Sequence, residues 1–193
     1  MDPLITTGLI ALLITVIVVL VVWMNKGNGA HERTNEAGAG STKPAMEMRE
    51  MWLCGLPAGL RIEPINMVLG MIVDLHVGNG TASLVAIADG STSLYFSSGG
   101  GVIGAGEHPQ VRQAKLNLLN KAAASIQLFL PAANHDLPAA GRFRFYVQTT
   151  NGLMYSEADQ GPIVEGKHAL SELFSLADHT ITETRLVSEA RGA

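Results

Sequence analysis

The sequence predicts an α+β domain that follows a single transmembrane helix and a flexible linker. Three observations support this: an uncharged apolar run at residues 4–23, turn dipeptides between short apolar segments across residues 67–159, and a helical spacing of apolar residues over 109–129. Adjacent strands joined by tight turns indicate an antiparallel sheet of about five strands, arranged as two hairpins or as a meander plus a hairpin, under a long central helix and a C-terminal helix. The predicted boundaries are 1–24 for the anchor, 25–50 for the linker and 51–193 for the soluble domain.

The anchor is predicted from the twenty consecutive residues between Leu4 and Trp23, none of which is charged. As a helix they would extend about 30 Å, which matches the hydrocarbon core of a bilayer. A cleaved signal peptide would need a basic segment before the run and small residues at a cleavage site after it. Residues 1–3 and 24–26 offer neither, so we expect a retained anchor.

The charges that flank the run predict its orientation. Lys26, Arg33 and Lys43 follow it, whereas no basic residue precedes it. Because basic residues concentrate on the cytoplasmic side of membrane helices, we expect a single-pass protein with its N-terminus outside and its domain in the cytoplasm. Cys54 is the only cysteine, and an exported domain more often carries cysteines in pairs. An exported domain is the alternative.

The balance of charge argues against two classes of partner. The chain carries 13 basic and 17 acidic side chains, a net charge of −4. A nucleic-acid-binding surface needs a basic footprint, and recognition of anionic lipid head groups needs a polybasic patch. The sequence shows neither. We therefore expect no nucleic acid partner, and contact with the lipid bilayer through residues 4–23.

The linker is rich in glycine, alanine and charged residues without an apolar period, which is typical of a flexible tether. Near its end, residues 46–53 are expected to form a short helix or a packing arm. Trp52 and Leu53 are expected to dock on the domain, with a membrane contact as the alternative. Cys54 follows in an apolar setting and is expected to be a buried, unreactive thiol.

Residues 67–96 are expected to be β structure. Turn signals at residues 78–80 and 89–90 separate segments rich in apolar and β-branched residues. A two-residue turn at Asp89-Gly90 would place Val85 opposite Leu94. That row of side chains is apolar enough to be the core face of the sheet.

The first segment of this region is ambiguous. Residues 65–75 fit either a strand or an amphipathic helix that leads into the hairpin. If they are helical, the order over residues 65–190 becomes helix, two strands, helix, hairpin, helix. That order loosely resembles the roadblock and profilin-like folds. The resemblance lies in the order of elements and involves no diagnostic motif, so it implies a fold rather than an activity.

A long helix is expected to begin at Pro109 and to stop before Pro131, because proline suits the first turn of a helix and breaks its interior. Its apolar residues recur at helical spacing and predict one buried stripe, with basic residues facing water. The stripe comprises Val111, Ala114, Leu118, Ala122, Ile126 and Phe129, and the basic residues are Arg112, Lys115 and Lys121.

The clearest hairpin signal is Asn151-Gly152, which follows an alternating segment at residues 142–149. A two-residue turn there would pair Phe145 with Ala158. A slip of one residue would turn Phe145 toward water, so we expect a fixed register. A terminal helix is expected from His168.

A glycine-rich segment joins the predicted strands to the long helix. Residues 99–104 satisfy the spacing G-x-G-x-x-G, which in dinucleotide-binding proteins brings backbone amides against a pyrophosphate. The preceding strand closes a hairpin instead of opening a βαβ unit, and Glu107 disfavours an anion. We expect a structural turn, and the alternative is an anion- or small-ligand-binding loop. Its candidate residues are Gly99, Gly100, Gly101, Gly104, Gly106 and His108.

Motifs for metal binding and for nucleophilic catalysis are missing from the sequence. Asp74 and His76 would share one face of a strand, which is more often a surface hydrogen bond than a catalytic pair. We therefore expect no catalytic residue, metal or cofactor. These absences disfavour an enzyme. They do not decide the matter, because a missing motif is only weak evidence against catalysis.

Aromatic residues on the predicted outer face of the sheet, with a nearby tryptophan, are candidates for contact with a protein partner. They are Trp52, Tyr95, Tyr146 and Tyr155. Cross-strand packing under the C-terminal helix is the alternative.

Anchor, linker and small domain together predict a membrane-tethered, non-enzymatic interaction module. It would act as a scaffold or as a single-pass accessory subunit of a larger membrane complex, and it would bind a protein partner or form a homo-oligomer. The alternative is a domain that binds a small ligand or a phosphate through residues 99–106, with or without catalysis.

Overall fold

The structure is a computed structural model that describes residues 43–55 and 62–192. The predicted anchor, residues 4–23, lies outside these ranges. Within them, no helix has both the length and the apolar character needed to span a bilayer. The described chain forms four α-helices and seven strands. In chain order they are α1 (Lys43–Leu53), β1 (Val68–Val77), β2 (Gly80–Ile87), β3 (Thr92–Phe96), β4 (Gly101–Val102), α2 (Pro109–Ala124), β5 (Leu130–Pro131), β6 (Arg142–Thr149), β7 (Gly152–Asp159), α3 (Gln160–Val164) and α4 (Ser171–Gly192).

All seven strands belong to one antiparallel sheet with the order β4-β3-β2-β1-β6-β7-β5. This confirms the predicted α+β class. The sheet has more strands than predicted because each edge carries a strand of two residues, β4 or β5. The connection through α2 brings β6 beside β1, so the first and second halves of the domain meet at the centre of the sheet.

Helices α2 and α4 cover one face of the sheet. Leu84 and Phe145 pack there with Leu118 of α2 in the larger apolar cluster. Phe143 of β6 stacks on Phe174 of α4, with the ring centroids 4.6 Å apart. Burying one such side chain contributes about 1.5–3 kcal/mol, so this face holds most of the apolar stabilisation.

Helix α1 covers the opposite face. Ile72, Val85 and Tyr146 point to this side and form a second apolar cluster with Ala45 and Leu53 of α1. The central strands are therefore buried on both faces, which explains the nearly unbroken apolar sequences of β1 and β2. The end of the segment assigned to the linker is thus a helix packed on the sheet.

The ambiguous segment at residues 65–75 forms a strand, since β1 begins at Val68 and pairs with both β2 and β6. The helical alternative is wrong. The order of elements that would resemble the roadblock and profilin-like folds required that helix, so the condition for the resemblance is not met.

The first hairpin has a different register from the predicted one. Leu94 pairs with Leu84 rather than with Val85. The turn has three residues, 88–90, because the backbone N–H of Ile87 donates to the carbonyl of Ser91 at 2.9 Å. The side chain of Asp89 stabilises this longer turn by accepting a hydrogen bond from the backbone N–H of Ser91 at 2.7 Å. Consequently Leu84 faces α2 and α4, while Val85 faces α1.

The second hairpin is shifted by two positions. Phe145 pairs with Ser156 rather than with Ala158, because Gly152 already pairs with Thr149 as the first residue of β7. An even shift keeps every side chain on its predicted face. Phe145 is accordingly in the core, as expected.

Helix α2 begins at Pro109 as predicted but ends at Ala124, and a short 3-10 turn over Ile126–Leu128 follows it. The predicted stripe is buried, apart from Ile126, which is partly exposed. The prediction for Lys115 is wrong: its side chain is 1 % exposed.

Candidate functional site

The glycine-rich segment folds back against the sheet, and two of its glycines are required by close backbone contacts. A Cβ atom at Gly101 would lie 2.2 Å from the carbonyl oxygen of Leu94. A Cβ atom at Gly106 would lie 1.8 Å from the carbonyl oxygen of Gly90. Both distances are far shorter than any normal contact, so the packing of the chain on itself accounts for these two residues.

The other candidates of this segment lie in turns. Gly99 and Gly100 close the β3–β4 connection, and Gly104 precedes a short 3-10 turn over Ala105–Glu107. His108 is the extended residue immediately before α2.

A cleft of about 500 Å³ opens between this segment, the β2–β3 turn and the first half of α2. Arg112 and Lys115 supply two cations to its lining, and Asp89 and Glu107 supply two carboxylates. A guanidinium nitrogen of Arg112 donates to the backbone carbonyl of Glu107 at 3.1 Å. The cleft therefore offers both charges to a ligand.

Lys115 is the most unusual group in this cleft. It is buried, yet its ammonium group has no hydrogen-bond or ion-pair partner within the described part of the chain. Burial lowers the pKa of Lys115, and the negative charge of Asp89 opposes this effect in part. Because Lys115 lines the cleft and its ammonium has no partner within the described residues, an anionic group placed in the cleft could pair with it.

The aromatic residues predicted to contact a partner lie on the face of the sheet that α1 covers. Tyr95 is 2 % exposed and Tyr146 is 0 % exposed, while Tyr155 and Trp52 are partly buried in the same cluster. Helix α1 covers these aromatic residues, whereas the alternative drawn from the sequence had placed them under the C-terminal helix. A partner that approaches this side of the domain therefore meets α1 first.

A buried ion pair holds α1 on the sheet. Asp74 of β1 is 0 % exposed and Arg49 of α1 is 3 % exposed. Nη2 of Arg49 donates to Oδ2 of Asp74 at 2.6 Å and Nε donates to Oδ1 at 3.0 Å, which is the strong two-point geometry of arginine and carboxylate. The hydroxyl of Ser83 also donates to Asp74, at 2.5 Å. Burial lowers the pKa of Arg49, but the hydrogen bonds and charge of Asp74 outweigh it and the pKa is raised overall.

The connection between β5 and β6, residues 132–141, closes over the same pair, and we call it the capping loop. Nη1 of Arg49 donates to the carbonyl of His135 at 2.9 Å. The carbonyl of Asp136 accepts hydrogen bonds from the hydroxyl of Tyr146 and from Nη1 of Arg144, both at 2.8 Å. One hydrogen-bonded network therefore joins α1, β1, β6 and the capping loop.

Three side chains of different chemistry meet where α1 ends. Nδ1 of His135 lies 2.5 Å from Oε1 of Glu50, and Sγ of Cys54 lies 3.4 Å from the same oxygen. Cys54 is exposed, so the expectation of a buried thiol is wrong. The reason is that Cys54 lies one helical turn after Glu50, on the side of α1 that faces the solvent.

The contacts of this group shift two pKa values. Burial raises the pKa of Glu50, but the hydrogen bonds from His135 and Cys54 outweigh it, so the pKa falls below its usual range. The hydrogen bond to Glu50, with a smaller contribution from burial, raises the pKa of the Cys54 thiol.

Sequence reasoning missed the network because it placed Arg49 in the linker and treated Asp74 with His76 as a surface pair. The available signal was Asp74 itself. A carboxylate inside an apolar strand that is buried on both faces requires a cationic partner. His76 is partly exposed and takes no part in the pair.

No family model, curated protein or solved structure matches this chain. Its functional assignment therefore depends on the geometry of the cleft, on the predicted anchor, and on α1 with the side of the sheet that it covers. We call that side of the domain the α1 face.

Proposed function

We propose that this protein is a membrane-tethered, non-enzymatic interaction module: a scaffold, or a single-pass accessory subunit of a larger membrane complex. Residues 4–23 would hold it in the bilayer, with the domain on the cytoplasmic side. The observation that supports the proposal most is the buried pair of Arg49 and Asp74. It fixes to the sheet the helix that forms the end of the predicted linker.

The position of α1 shortens the predicted tether. Because α1 begins at Lys43, the part of the linker between anchor and domain is residues 25–42. A random coil of that length, as the composition predicts, spans about 23 Å. The α1 face would thus stay within about one domain diameter of the bilayer, where it can meet another membrane protein or a second copy of this chain.

The surface formed by α1 and its surroundings carries exposed apolar side chains. Met51 of α1 is 45 % exposed, and Leu137 of the capping loop is 39 % exposed. Leu130 on the edge strand β5 is 65 % exposed. Large exposed apolar groups on a rigid surface are typical of a protein interface. We propose that the partner contacts this surface, which covers Tyr95, Tyr146, Tyr155 and Trp52.

The test is photo-crosslinking from Cys54, because this thiol is the only one in the chain and is exposed beside the proposed surface. The full-length protein, in its native membranes, is labelled with a benzophenone maleimide and irradiated. We expect one discrete protein adduct, with the mass of two chains if the partner is a second copy.

A matched control moves the probe to the opposite side of the domain. Ser175 is exposed on α4, so a Ser175→Cys, Cys54→Ser variant carries the same label away from α1. We expect this variant to give no comparable adduct. Adducts with lipid alone from Cys54, or equal protein adducts from both positions, would contradict the proposed interface.

A second function is favoured by Lys115, whose ammonium lines the cleft without a partner among the described residues. The glycine-lined cleft would bind a small phosphorylated molecule through Lys115, with Asp89 and Glu107 accepting hydrogen bonds from hydroxyl groups of the ligand. The two carboxylates disfavour a ligand that is anionic throughout. A sugar phosphate or a nucleotide satisfies both requirements.

Thermal unfolding with a panel of nucleotides and sugar phosphates tests this second function. A ligand at one hundred times its Kd would raise Tm by about 5 °C or more. Lys115→Met keeps the aliphatic stem but removes the charge, so we expect it to abolish the shift. Lys167→Met removes an exposed ammonium and should leave the shift intact. If no compound raises the Tm of the wild-type protein, the cleft is not such a site.

A further inference from the structure

The geometry at the end of α1 points to a Zn²⁺-binding site formed by Glu50, Cys54 and His135. The inference is independent of the proposed function, since it depends only on three side chains and their surroundings. No pattern in the sequence predicted it, because the ligands come from two segments that are 81 residues apart between Cys54 and His135.

The three ligand atoms are close enough to share one ion. The carboxylate oxygen of Glu50, Sγ of Cys54 and a ring nitrogen of His135 all lie within 4.8 Å of one another. Tetrahedral Zn²⁺, with bonds of about 2.0–2.3 Å, separates its ligand atoms by about 3.3–3.8 Å. Glu50 and His135 would have to move apart by about 1 Å. Sγ of Cys54 lies 3.4 Å from Oε1 of Glu50 and within 4.8 Å of a ring nitrogen of His135. Glu50 and Cys54 are exposed and His135 is partly exposed, so such movements are sterically open.

The donor set selects the ion. Thiolate, imidazole and carboxylate are the three side-chain ligands that Zn²⁺ uses, whereas Mg²⁺ and Ca²⁺ prefer oxygen ligands throughout. Three protein ligands leave one tetrahedral position for water. On binding, the metal replaces the hydrogen bonds that link the three side chains, and the proton of the Cys54 thiol passes to the solvent.

The surroundings accommodate a cation. Cys54 follows the last residue of α1, and the C-terminal end of a helix carries a partial negative charge. Arg49 brings a positive charge near the site, with Nη1 3.7 Å from Oε2 of Glu50. Its charge is already neutralised by Asp74. Arg49 also positions one ligand, because it donates to the backbone carbonyl of His135.

A metal ion here would join the end of α1 to the capping loop. It would reinforce the partly buried hydrogen bonds that Arg49 and Glu50 of α1 already make with His135 of the capping loop. Bound Zn²⁺ would therefore slow the detachment of α1 from the sheet.

The experiment uses the untagged full-length protein in detergent micelles and titrates it with Co²⁺, which reports on its own ligands, and then with Zn²⁺ against a chromogenic chelator. We expect one equivalent of Co²⁺ to give a thiolate-to-metal charge-transfer band in the near ultraviolet and the visible bands of tetrahedral cobalt. Zn²⁺ should displace it with a stoichiometry of one.

Variants separate this site from general metal adsorption. Cys54→Ser should abolish the charge-transfer band. His135→Gln and Glu50→Gln should each weaken Zn²⁺ binding by at least about tenfold, since loss of a group that only supports a ligand already costs that much. His179→Gln and Glu47→Gln, which alter exposed residues elsewhere on the domain and on α1, should bind as the wild type does. Absence of the thiolate band, or Zn²⁺ affinity unchanged by Cys54→Ser and His135→Gln, would overturn the assignment.

Discussion

At the scale of single residues, the decisive feature is a charge pair inside an apolar interface. Asp74 and Arg49 are both buried, and Asp74 is held by Ser83 as well. A buried pair contributes little net stability compared with apolar residues of the same size, but the loss of one partner leaves a costly unpaired charge. The pair therefore specifies where α1 lies on the sheet more than it strengthens the fold. The sequence shows the need for such a partner at Asp74, but it does not show which of several arginines supplies it.

Asp178 allows a residue-scale prediction about pH. It is a partly buried carboxylate on α4 with no hydrogen-bond partner in the described ranges, and burial raises its pKa to about 6. Because the pKa is higher in the folded state than in the unfolded state, the folded state holds the proton more tightly. The stability that this contributes is complete below about pH 4 and is lost as the pH rises through 6.

Asp178→Asn should therefore stabilise the protein at pH 7.5 and have almost no effect at pH 4. Two pKa units correspond to about 3 kcal/mol, and residual contact with water reduces the expected gain to about 1–2 kcal/mol. Urea unfolding of the full-length protein at both pH values measures it. Glu47→Gln, at an exposed position of α1, is the control and should show no such difference. A gain that is the same at both pH values would show that the charge of Asp178 is not its cause.

At the scale of elements, local signals in the sequence predicted the two hairpins and the two long helices but not the exact pairing of the strands. The turn dipeptides located both hairpins, and Pro109 located the start of α2. The first register was wrong because a side-chain hydrogen bond of Asp89 lengthens the turn, a contact that hairpin statistics do not resolve. The second register kept its faces because only an even shift leaves Phe145 in the core.

Helix α1 was the element hardest to predict. Its sequence has charged and polar residues among its apolar ones and directly continues a segment without apolar periodicity, so composition placed most of it in the linker. The helix is stabilised by its packing on the sheet, and tertiary contacts of this kind routinely override local helix propensity. The two edge strands were missed for a related reason, since a strand of two residues has no periodicity to detect.

At the scale of the whole molecule, the sheet lies between two different layers. Helices α2 and α4 cover one face with a large apolar cluster, and α1 covers the other with a smaller cluster and the network of Arg49 and Asp74. The lone cysteine and its cluster lie at the C-terminal end of α1, whereas the predicted linker would join the helix at its other end, Lys43. The glycine-lined cleft is formed by other elements: the β2–β3 turn, the glycine-rich segment and α2. The two proposed functions can thus be tested separately.

The most direct test of the account is hydrogen–deuterium exchange of the full-length protein in lipid nanodiscs, with and without the substitution Arg49→Met. This exchange reports whether the buried pair of Arg49 and Asp74 fixes α1 on the sheet. We expect the amides of α1 to be protected in the wild type and to lose protection by at least tenfold in Arg49→Met, while those of α2 and α4 are unchanged. Arg185→Met removes a 2.6 Å ion pair within α4 and should leave α1 protected. Rapid exchange of α1 in the wild type, or equal protection with and without Arg49, would contradict the claim.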